Sequence, residues 1–289
     1  MIRCIASDMD GTLLNSNQKI SPANRDAIRF AQKQGVEFVI ATGRSYQEAK
    51  EVLEEAGIRC TVIGLNGAEV RNEAGEMTHR NVLPAKTASQ VAHYLETLGI
   101  YYEFFTNKGT FTENYEASID MLVDIFKSAN PEVPEEKIRM HVKNRGITRY
   151  IHNMYDSREI FNDPSILFYK IVAFDKDESL FEELSSKLEA ELNEIKVTSS
   201  GFRNIEINHI SAQKGIALER FVKEKGISLQ HTMAVGDNLN DLSMLERVGY
   251  PFAMGNAVPE VKKLCPHETS KNDEDGVAKA IYKFLEICK

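Results

Sequence analysis

The sequence has no apolar run of the roughly 20 residues that a membrane-spanning helix needs. Its opening, MIRCIASDMDG, holds only a short apolar run that acidic residues follow at once, so we expect no signal peptide there. Internal repeats and low-complexity tracts are also lacking. We therefore expect neither a membrane anchor nor a membrane partner.

Cysteine is scarce, with four residues in a chain of 289. No pair has CxxC spacing, and so few cysteines give no disulfide framework for a chain of this length. The pattern predicts buried, reduced thiols in a cytoplasmic protein. The four residues are Cys4, Cys60, Cys265 and Cys288.

A long basic run is missing too, and the net charge is −8. This charge argues against a nucleic-acid partner. It would also repel a phosphorylated substrate at long range, so any anion site must carry its own positive charge. Because 42% of the residues are hydrophobic and 27% are charged, the composition is that of a globular protein of one large domain or two ordinary ones.

What the sequence does contain is a strand–helix alternation at both ends. IRCIAS, VEFVIA and CTVIGL read as strands buried on both faces, and TMAVGD and PFAMG resume the pattern after residue 209. Ser21 and Pro22 suit the start of the first helix, and Ser45 with Glu48 predicts a capping box at the second. Such a pattern predicts a parallel sheet with right-handed crossovers.

The middle of the chain has a different pattern, in which apparent antiparallel strands alternate with amphipathic helices. We predict an α/β fold with a doubly wound, Rossmann-like parallel-sheet core formed by residues 1–83 and 209–289. An inserted α+β domain, residues 84–208, would split this core and serve as a cap.

Polar side chains follow the predicted strands of the core at their carboxyl ends, where open parallel sheets bind ligands. Asp8, Asp10 and Asp237 come from two strand ends and form an all-oxygen set, which suits Mg²⁺. The alternative is that each acid caps a neighbouring helix or turn, and for Asp241 this stays open. The other candidates at this edge are Thr42, Gly43, Arg44, Lys214, Asn240 and Asp241.

Four stretches resemble, in order, the motifs of the haloacid dehalogenase superfamily. They are DMDGTL at 8–13, IATGR at 40–44, Lys214-Gly215, and GDNLND at 236–241. Asn66-Gly67-Ala68 and the large insert between the second and third motifs resemble the Cof-type branch, subfamily IIB. That branch carries an α+β cap of the C2B type at this point.

The resemblance implies roles for these residues. Asp8 would attack phosphorus and form an aspartyl-phosphate, while Asp10 would protonate the leaving oxygen and later accept a proton from water. Mg²⁺ would bind the Asp8 side chain, the Asp10 backbone carbonyl and Asp237. The remaining predicted residues would hold phosphate oxygens, namely Met9 through backbone N–H groups, Thr42, Gly43, Lys214 and Asn240.

Three roles stay open. Arg44 is expected to contact either the substrate or the cap, and Asp241 to hold either a metal-bound water or Lys214. Asn66 ends a core strand near the predicted site, and its contact with substrate is undecided.

The acid at position 10 favours phosphate ester cleavage over dehalogenation, because an alkoxide leaving group needs a proton and a halide does not. The expected enzyme is a phosphatase acting on a small phosphorylated metabolite, as a monomer or weak homo-oligomer. The candidate substrates are a sugar phosphate, a phosphorylated sugar alcohol such as 5-amino-6-(5-phosphoribitylamino)uracil, and pyridoxal or flavin phosphates.

Two alternatives remain. A sugar phosphomutase or phosphotransferase would pass the phosphoryl group to a sugar hydroxyl, and phosphate release without an acceptor would argue against it. A non-catalytic signalling module would keep the phosphoryl group on Asp8 for a partner to detect, and rapid turnover would exclude it.

Overall fold

Strands and helices alternate at both ends of the chain and mix in its middle. The structure is a computed structural model that describes residues 2–129, 133–144, 151–154, 156–175, 179–200 and 203–287. In chain order, the strands are β1 (Cys4–Ser7), β2 (Glu37–Ala41), β3 (Thr61–Gly64), β4 (Glu69–Arg71), β5 (Met77–Arg80), β6 (Tyr101–Thr106), β7 (Gly109–Thr112), β8 (Ile151–Asn153), β9 (Phe168–Phe174), β10 (Ile195–Thr198), β11 (Asn204–His209), β12 (Thr232–Gly236), β13 (Tyr250–Ala253) and β14 (His267–Glu268). The helices are α1 (Pro22–Lys33), α2 (Tyr46–Ala56), α3 (Ala85–Thr97), α4 (Tyr115–Ala129), α5 (Glu135–Asn144), α6 (Ser157–Phe161), α7 (Ser179–Glu191), α8 (Lys214–Glu224), α9 (Leu242–Leu245), α10 (Pro259–Leu264) and α11 (Gly276–Ile287).

The described chain divides into two compact units, Met1–Asn81 with Ser211–Lys289, and Val82–Ile210. We call them the core unit and the inserted unit. The predicted junctions, 83/84 and 208/209, differ from this division by two residues each. That the inserted unit works as a cap stays a prediction.

The core unit is built on an eight-stranded sheet with the order β14-β13-β12-β1-β2-β3-β4-β5. The strands from β14 to β3 are parallel, and β4 and β5 add an antiparallel hairpin at one edge. All four residues of β1 are buried, as expected for a parallel strand that is covered on both faces. The predicted α/β fold with a parallel sheet is confirmed, and the hairpin makes the sheet mixed.

The first two helices begin where their capping residues predict. The Ser21 side chain accepts a hydrogen bond from the Asn24 N–H, and Pro22 occupies the first turn of α1. Ser45 and Glu48 form the predicted capping box of α2. These caps bind backbone N–H groups that have no partner within the helix, so each helix begins at a defined residue.

The inserted unit contains a six-stranded sheet with the order β10-β11-β9-β6-β7-β8. Its pairings are antiparallel except for β7 with β8. One face of the sheet carries Phe104 and Ile171, which belong to the same buried cluster as Val91 of α3 and Leu184 of α7. This unit therefore has a hydrophobic core of its own.

Two elements of the core unit were not predicted, α10 and β14. Both are short, and β14 pairs with β13 over only two residues, so neither has a periodic pattern that stands out in the sequence.

Of the cysteines, Cys4 and Cys60 are buried free thiols and Cys265 is partly buried, while Cys288 lies outside the described residues. The part of the chain that the structure describes contains no helix with the length and apolarity to cross a membrane.

Candidate active site

Asp8 directly follows β1 and begins a sharp turn. Its backbone N–H donates to the Val235 carbonyl oxygen at 3.1 Å, and the turn closes with a 2.9 Å hydrogen bond from the Leu14 N–H to the Met9 carbonyl oxygen. Gly11 has a φ of +73°, and a Cβ there would overlap the carboxylate of Asp237. The turn therefore needs glycine for its conformation and for its close approach to the loop after β12.

Lys214 is the first residue of α8, and its side chain is fully buried. Its Nζ lies 2.7 Å from a carboxylate oxygen of Asp8 and 2.7 Å from one of Asp241. Burial acts to lower the pKa of Lys214, but Asp241 and Asp8 outweigh it and the net shift is upward. A charged ammonium thus joins the loop after β1 to the loop after β12.

Asp241 also organises its own loop. Its second carboxylate oxygen accepts the backbone N–H groups of Asp237 at 2.9 Å and Asn238 at 3.1 Å. The hydroxyl of Thr12 donates to Asp237 at 2.8 Å. Of the two contacts expected for Asp241, the structure shows the one with Lys214.

The second predicted motif follows β2 and is tied to its neighbours by backbone hydrogen bonds. The Thr42 N–H donates to Ile63 at 2.8 Å, and the Asn66 N–H donates to the Thr42 carbonyl at 2.9 Å. Asn240, from the fourth motif, donates its side-chain N–H to the Asn66 side chain at 3.3 Å. Thr42, Asn66 and Asn240 thus belong to one connected set of loops, and Gly43 lies next to Thr42 in it.

Asp10 is the predicted acid–base residue, and its side chain is bound by Arg44. The two guanidinium hydrogen bonds are Nε to Oδ2 at 2.7 Å and Nη2 to Oδ1 at 2.5 Å. Arg44 also donates to the side chain of Gln18, a residue whose backbone has a positive φ. The structure shows Arg44 bound to Asp10, and its contact with the substrate or the cap stays a prediction.

Among the residues that the structure describes, the carboxylates of Asp8, Asp237 and Asp241 could together hold a metal ion, with one oxygen of each within 4.8 Å of the others. Two of them are in the predicted metal set. The Asp10 side chain is not in the group, and its predicted contribution was the backbone carbonyl. Asp241 was not predicted as a metal ligand. Oxygen donors of this kind suit Mg²⁺, which is usually held by one or two carboxylates together with waters and phosphate oxygens.

The electrostatics of this group also suit a cation. Burial raises the pKa of Asp8, and Asp241 and Asp237 raise it further, although Lys214 acts in the opposite direction. Burial and Asp241 raise the pKa of Asp237 to about 7. Three carboxylates share one ammonium, so a divalent cation would offset the remaining negative charge.

The sequence analysis assigned no role to Thr12 or Gln18. Thr12 is within the first motif, but a hydroxyl in a turn does not indicate which distant carboxylate it binds. Gln18 gives no signal, because its contact depends on a left-handed backbone in a residue that rarely adopts one.

With this geometry established, comparison with known proteins decides the family. The haloacid dehalogenase-like hydrolase family matches residues 5–281. The chain belongs to this family. The predicted superfamily and Cof-type resemblance are therefore confirmed.

Curated relatives in this family extend over the same length. "Phosphatase YwpJ" of Bacillus subtilis (strain 168) is 38% identical, with 98% of this chain and all of the relative aligned. "5-amino-6-(5-phospho-D-ribitylamino)uracil phosphatase YwtE" of the same organism is 33% identical over 98% of each chain. These matches confirm the predicted enzyme class, a phosphatase of the haloacid dehalogenase family.

A solved structure agrees with this assignment. A haloacid dehalogenase-like hydrolase from B. subtilis superposes with a TM-score of 0.88 at 35% identity, and the alignment covers 97% of this chain and 99% of that one. The fold is therefore that of a haloacid dehalogenase-like hydrolase over nearly its full length.

Proposed function

We propose that this haloacid dehalogenase-family phosphatase hydrolyses a small phosphorylated metabolite with Mg²⁺, through an aspartyl-phosphate on Asp8. The observation that carries the proposal is the position of the Asp8 carboxylate, 2.7 Å from the buried ammonium of Lys214 and within the group of three acids. A buried carboxylate that is oriented by a fixed cation is prepared to act as a nucleophile.

In this proposal, an Asp8 carboxylate oxygen attacks phosphorus while the bond from phosphorus to the leaving oxygen breaks. Lys214 orients the nucleophile and counters charge on the phosphoryl oxygens. Asp8 and Asp237, with the backbone carbonyl of Asp10, would hold Mg²⁺, which when bound reduces the repulsion between carboxylate and phosphate. Water then attacks the aspartyl-phosphate at phosphorus and releases Asp8 and inorganic phosphate.

Asp10 would give its proton to the leaving oxygen and then take one from the attacking water. Arg44 binds both carboxylate oxygens of Asp10 in the substrate-free protein, so this contact must open at one oxygen before Asp10 can hold the proton that it gives to the leaving oxygen. Backbone N–H groups near Met9, together with Thr42 and Gly43, would bind the phosphate oxygens. The Asn240 side chain would complete this set.

The name of one relative supports part of the predicted substrate range. YwtE is named for a phosphorylated ribitylaminouracil. For this chain we keep the full predicted range, which is phosphorylated sugars, phosphorylated sugar alcohols such as 5-amino-6-(5-phosphoribitylamino)uracil, and pyridoxal or flavin phosphates. We place the enzyme in the cytoplasm as a monomer or weak homo-oligomer, with the inserted unit as its cap.

The first experiment measures phosphate release from p-nitrophenyl phosphate and from a panel of these metabolites. Wild type with Mg²⁺, wild type with EDTA and Asp8→Asn are compared. We expect turnover only with Mg²⁺, and a loss of at least roughly 10³-fold in Asp8→Asn. Turnover that survives the substitution would contradict the mechanism, and consumption of substrate that needs an acceptor sugar and releases no inorganic phosphate would favour a phosphotransferase.

A second experiment isolates the role of Asp10. Asp10→Asn should lose roughly 10²–10⁴-fold on an alkyl phosphate, whose leaving oxygen needs a proton. It should lose much less on p-nitrophenyl phosphate, because p-nitrophenolate leaves without protonation. Equal losses on both substrates would exclude Asp10 as the general acid.

A further inference from the structure

A short segment after β13 contacts both loops that carry the predicted metal ligands. We call residues 254–258 the bridge segment. Its Met254 N–H donates to the Gly236 carbonyl oxygen at 3.1 Å, and its Val258 N–H donates to the Asp237 carbonyl oxygen at 2.9 Å. The bridge segment is thus bound to the last residue of β12 and to the first residue of the loop after it.

The middle residue of the bridge segment, Asn256, reaches the other loop. Its side-chain Nδ2 donates to the Gly11 carbonyl oxygen at 2.7 Å. Its Oδ1 accepts the backbone N–H of Asn272 at 3.0 Å, and the Asn272 side chain donates to the Leu14 carbonyl oxygen at 2.9 Å. Both ends of the Asn256 amide are therefore used, which defines its orientation.

The position of the Gly11 carbonyl affects two of the predicted metal ligands. It belongs to the peptide unit next to the one that contains the Asp10 carbonyl, a predicted metal ligand. Gly11 also packs so closely on Asp237 that a Cβ would overlap the carboxylate. A shift of Gly11 would therefore move the Asp10 carbonyl relative to Asp237 and change the spacing of the donor atoms.

We propose that Asn256 is a positioning residue that sets the distance between the two metal-binding loops and thereby the affinity of the site for a divalent cation. This proposal rests on the proposed function, because it takes Asp8, Asp237 and the Asp10 carbonyl as the ligands. Asn256 itself contacts neither the cation nor the substrate. It acts through the Gly11 carbonyl, as residues that orient ligands do in metal sites.

The test uses two neutral substitutions of Asn256. Asn256→Ala removes the amide, and Asn256→Leu removes its hydrogen bonds while keeping a side chain of similar size. An Asp substitution is avoided because its charge would attract cations directly. The matched controls are Asn72→Ala and Asn72→Leu, since Asn72 also binds backbone N–H groups of a turn in the core unit, those of Ala74 and Glu76.

The measurement is Mn²⁺ binding to the metal-stripped full chain, followed by the loss of the free Mn²⁺ electron paramagnetic resonance signal. Asp237→Asn is included as a variant of a proposed ligand, and circular dichroism verifies folding. We expect both Asn256 variants to bind Mn²⁺ about tenfold more weakly than wild type. Both Asn72 variants should bind it with unchanged affinity.

The outcomes separate this proposal from the proposed function. If wild type and Asp237→Asn bind Mn²⁺ alike, or wild type does not bind it, the metal site itself is wrong and the role of Asn256 is overturned with it. If Asp237→Asn loses binding while a folded Asn256 variant binds as tightly as wild type, only the role of Asn256 is overturned. Equal weakening in the Asn72 variants would show a general effect of destabilisation and would also overturn it.

Discussion

The two units of this chain each bury charged groups, but in different proportions. In the inserted unit, Lys170 on β9 and Glu206 on β11 form an ion pair with 2.5 Å between Nζ and Oε1, and both side chains are less than 5% exposed. In the core unit, Lys214 lies between Asp8 and Asp241, and Asp237 is a third acid in the same group. The Lys170–Glu206 pair joins one charge of each sign, with Glu103 on β6 as a further buried acid of the inserted unit, whereas the core cluster has three acids around one ammonium.

This difference shows how burial of charge can indicate function. A buried pair with one charge of each sign can satisfy itself, and apolar replacements of such pairs are often tolerated. An excess of buried carboxylates costs stability unless a cation or a proton balances it. The raised pKa of Asp237 reflects that cost, and a bound metal ion would relieve it. Four predictions test the comparison, the first three in order of decreasing effect.

The largest effect is expected from replacing the lysines. In the metal-free protein, Lys214→Met leaves the carboxylates of the site without their ammonium, and Lys170→Met removes the buried ammonium that Glu206 contacts. Each should lower the free energy of unfolding by about 3–5 kcal/mol. Mg²⁺ should restore part of the loss only in Lys214→Met, as measured by urea unfolding with and without the ion. If Mg²⁺ restores the unfolding free energy equally in both variants, or in neither, the two buried clusters do not differ in their response to a cation.

The pair in the inserted unit should show strong coupling. The double variant Lys170→Met, Glu206→Leu should lose roughly 2 kcal/mol less than the sum of the two single variants, because neither charge of the pair is left without the other. A double-mutant cycle by urea unfolding measures this coupling. If the losses of the two single variants are additive, Lys170 and Glu206 do not stabilise each other.

Removal of one acid from the core cluster should stabilise the protein. In EDTA, Asp237→Asn should raise the free energy of unfolding by about 1 kcal/mol, because it removes a like charge next to Asp241. The Asn side-chain oxygen can still accept the hydrogen bond from Thr12. The same variant should no longer gain stability when Mg²⁺ is added. A melting temperature below that of metal-free wild type would contradict the prediction.

The last prediction concerns pH, and its effect is measured as a slope. The pKa of Asp237 is about 7 in the folded protein against an ordinary value of 3.8. Between these values the folded state holds a proton that the unfolded state has lost, so the stability of the metal-free protein should fall as pH rises from about 4 to 7. The slope cannot exceed about 1.4 kcal/mol per pH unit for one proton.

Asp237→Asn serves as the control for this profile, since it lacks the titrating group. Its unfolding free energy in EDTA should have a smaller pH slope over the same range. With saturating Mg²⁺, the unfolding free energy should instead rise with pH. The reason is that the cation competes with the proton and binds better as pH rises. If the unfolding free energy of wild type in EDTA increases from pH 4 to 7 by more than that of the variant, the raised pKa of Asp237 is contradicted.

Much of the fold and the convergence of the site could be predicted from the sequence. Parallel strands place their carboxyl ends at one edge, so Asp8 and Asp237 were expected to come together, and the order of the motifs placed Lys214 with them. The contact of Arg44 with Asp10 could not be predicted, because it depends on which of several rotamers the surrounding loops allow.

Residues with no local signal were missed for a related reason. Asn256 follows an ordinary strand, and its importance comes from a hydrogen bond to a residue 245 positions away. Helix α10 and strand β14 are too short for periodicity to reveal them. Such features depend on tertiary packing, which short-range patterns do not encode.

The most direct test of the account is to identify the residue that carries the phosphoryl group. The enzyme is mixed with Mg²⁺ and a substrate that it turns over, quenched rapidly and treated with borohydride, which reduces an aspartyl-phosphate to homoserine. Peptide mass spectrometry then locates the change. The account predicts homoserine at residue 8 and none when substrate is omitted. An unmodified Asp8 during rapid turnover, or homoserine at Asp10, Asp237 or Asp241 instead, would contradict it.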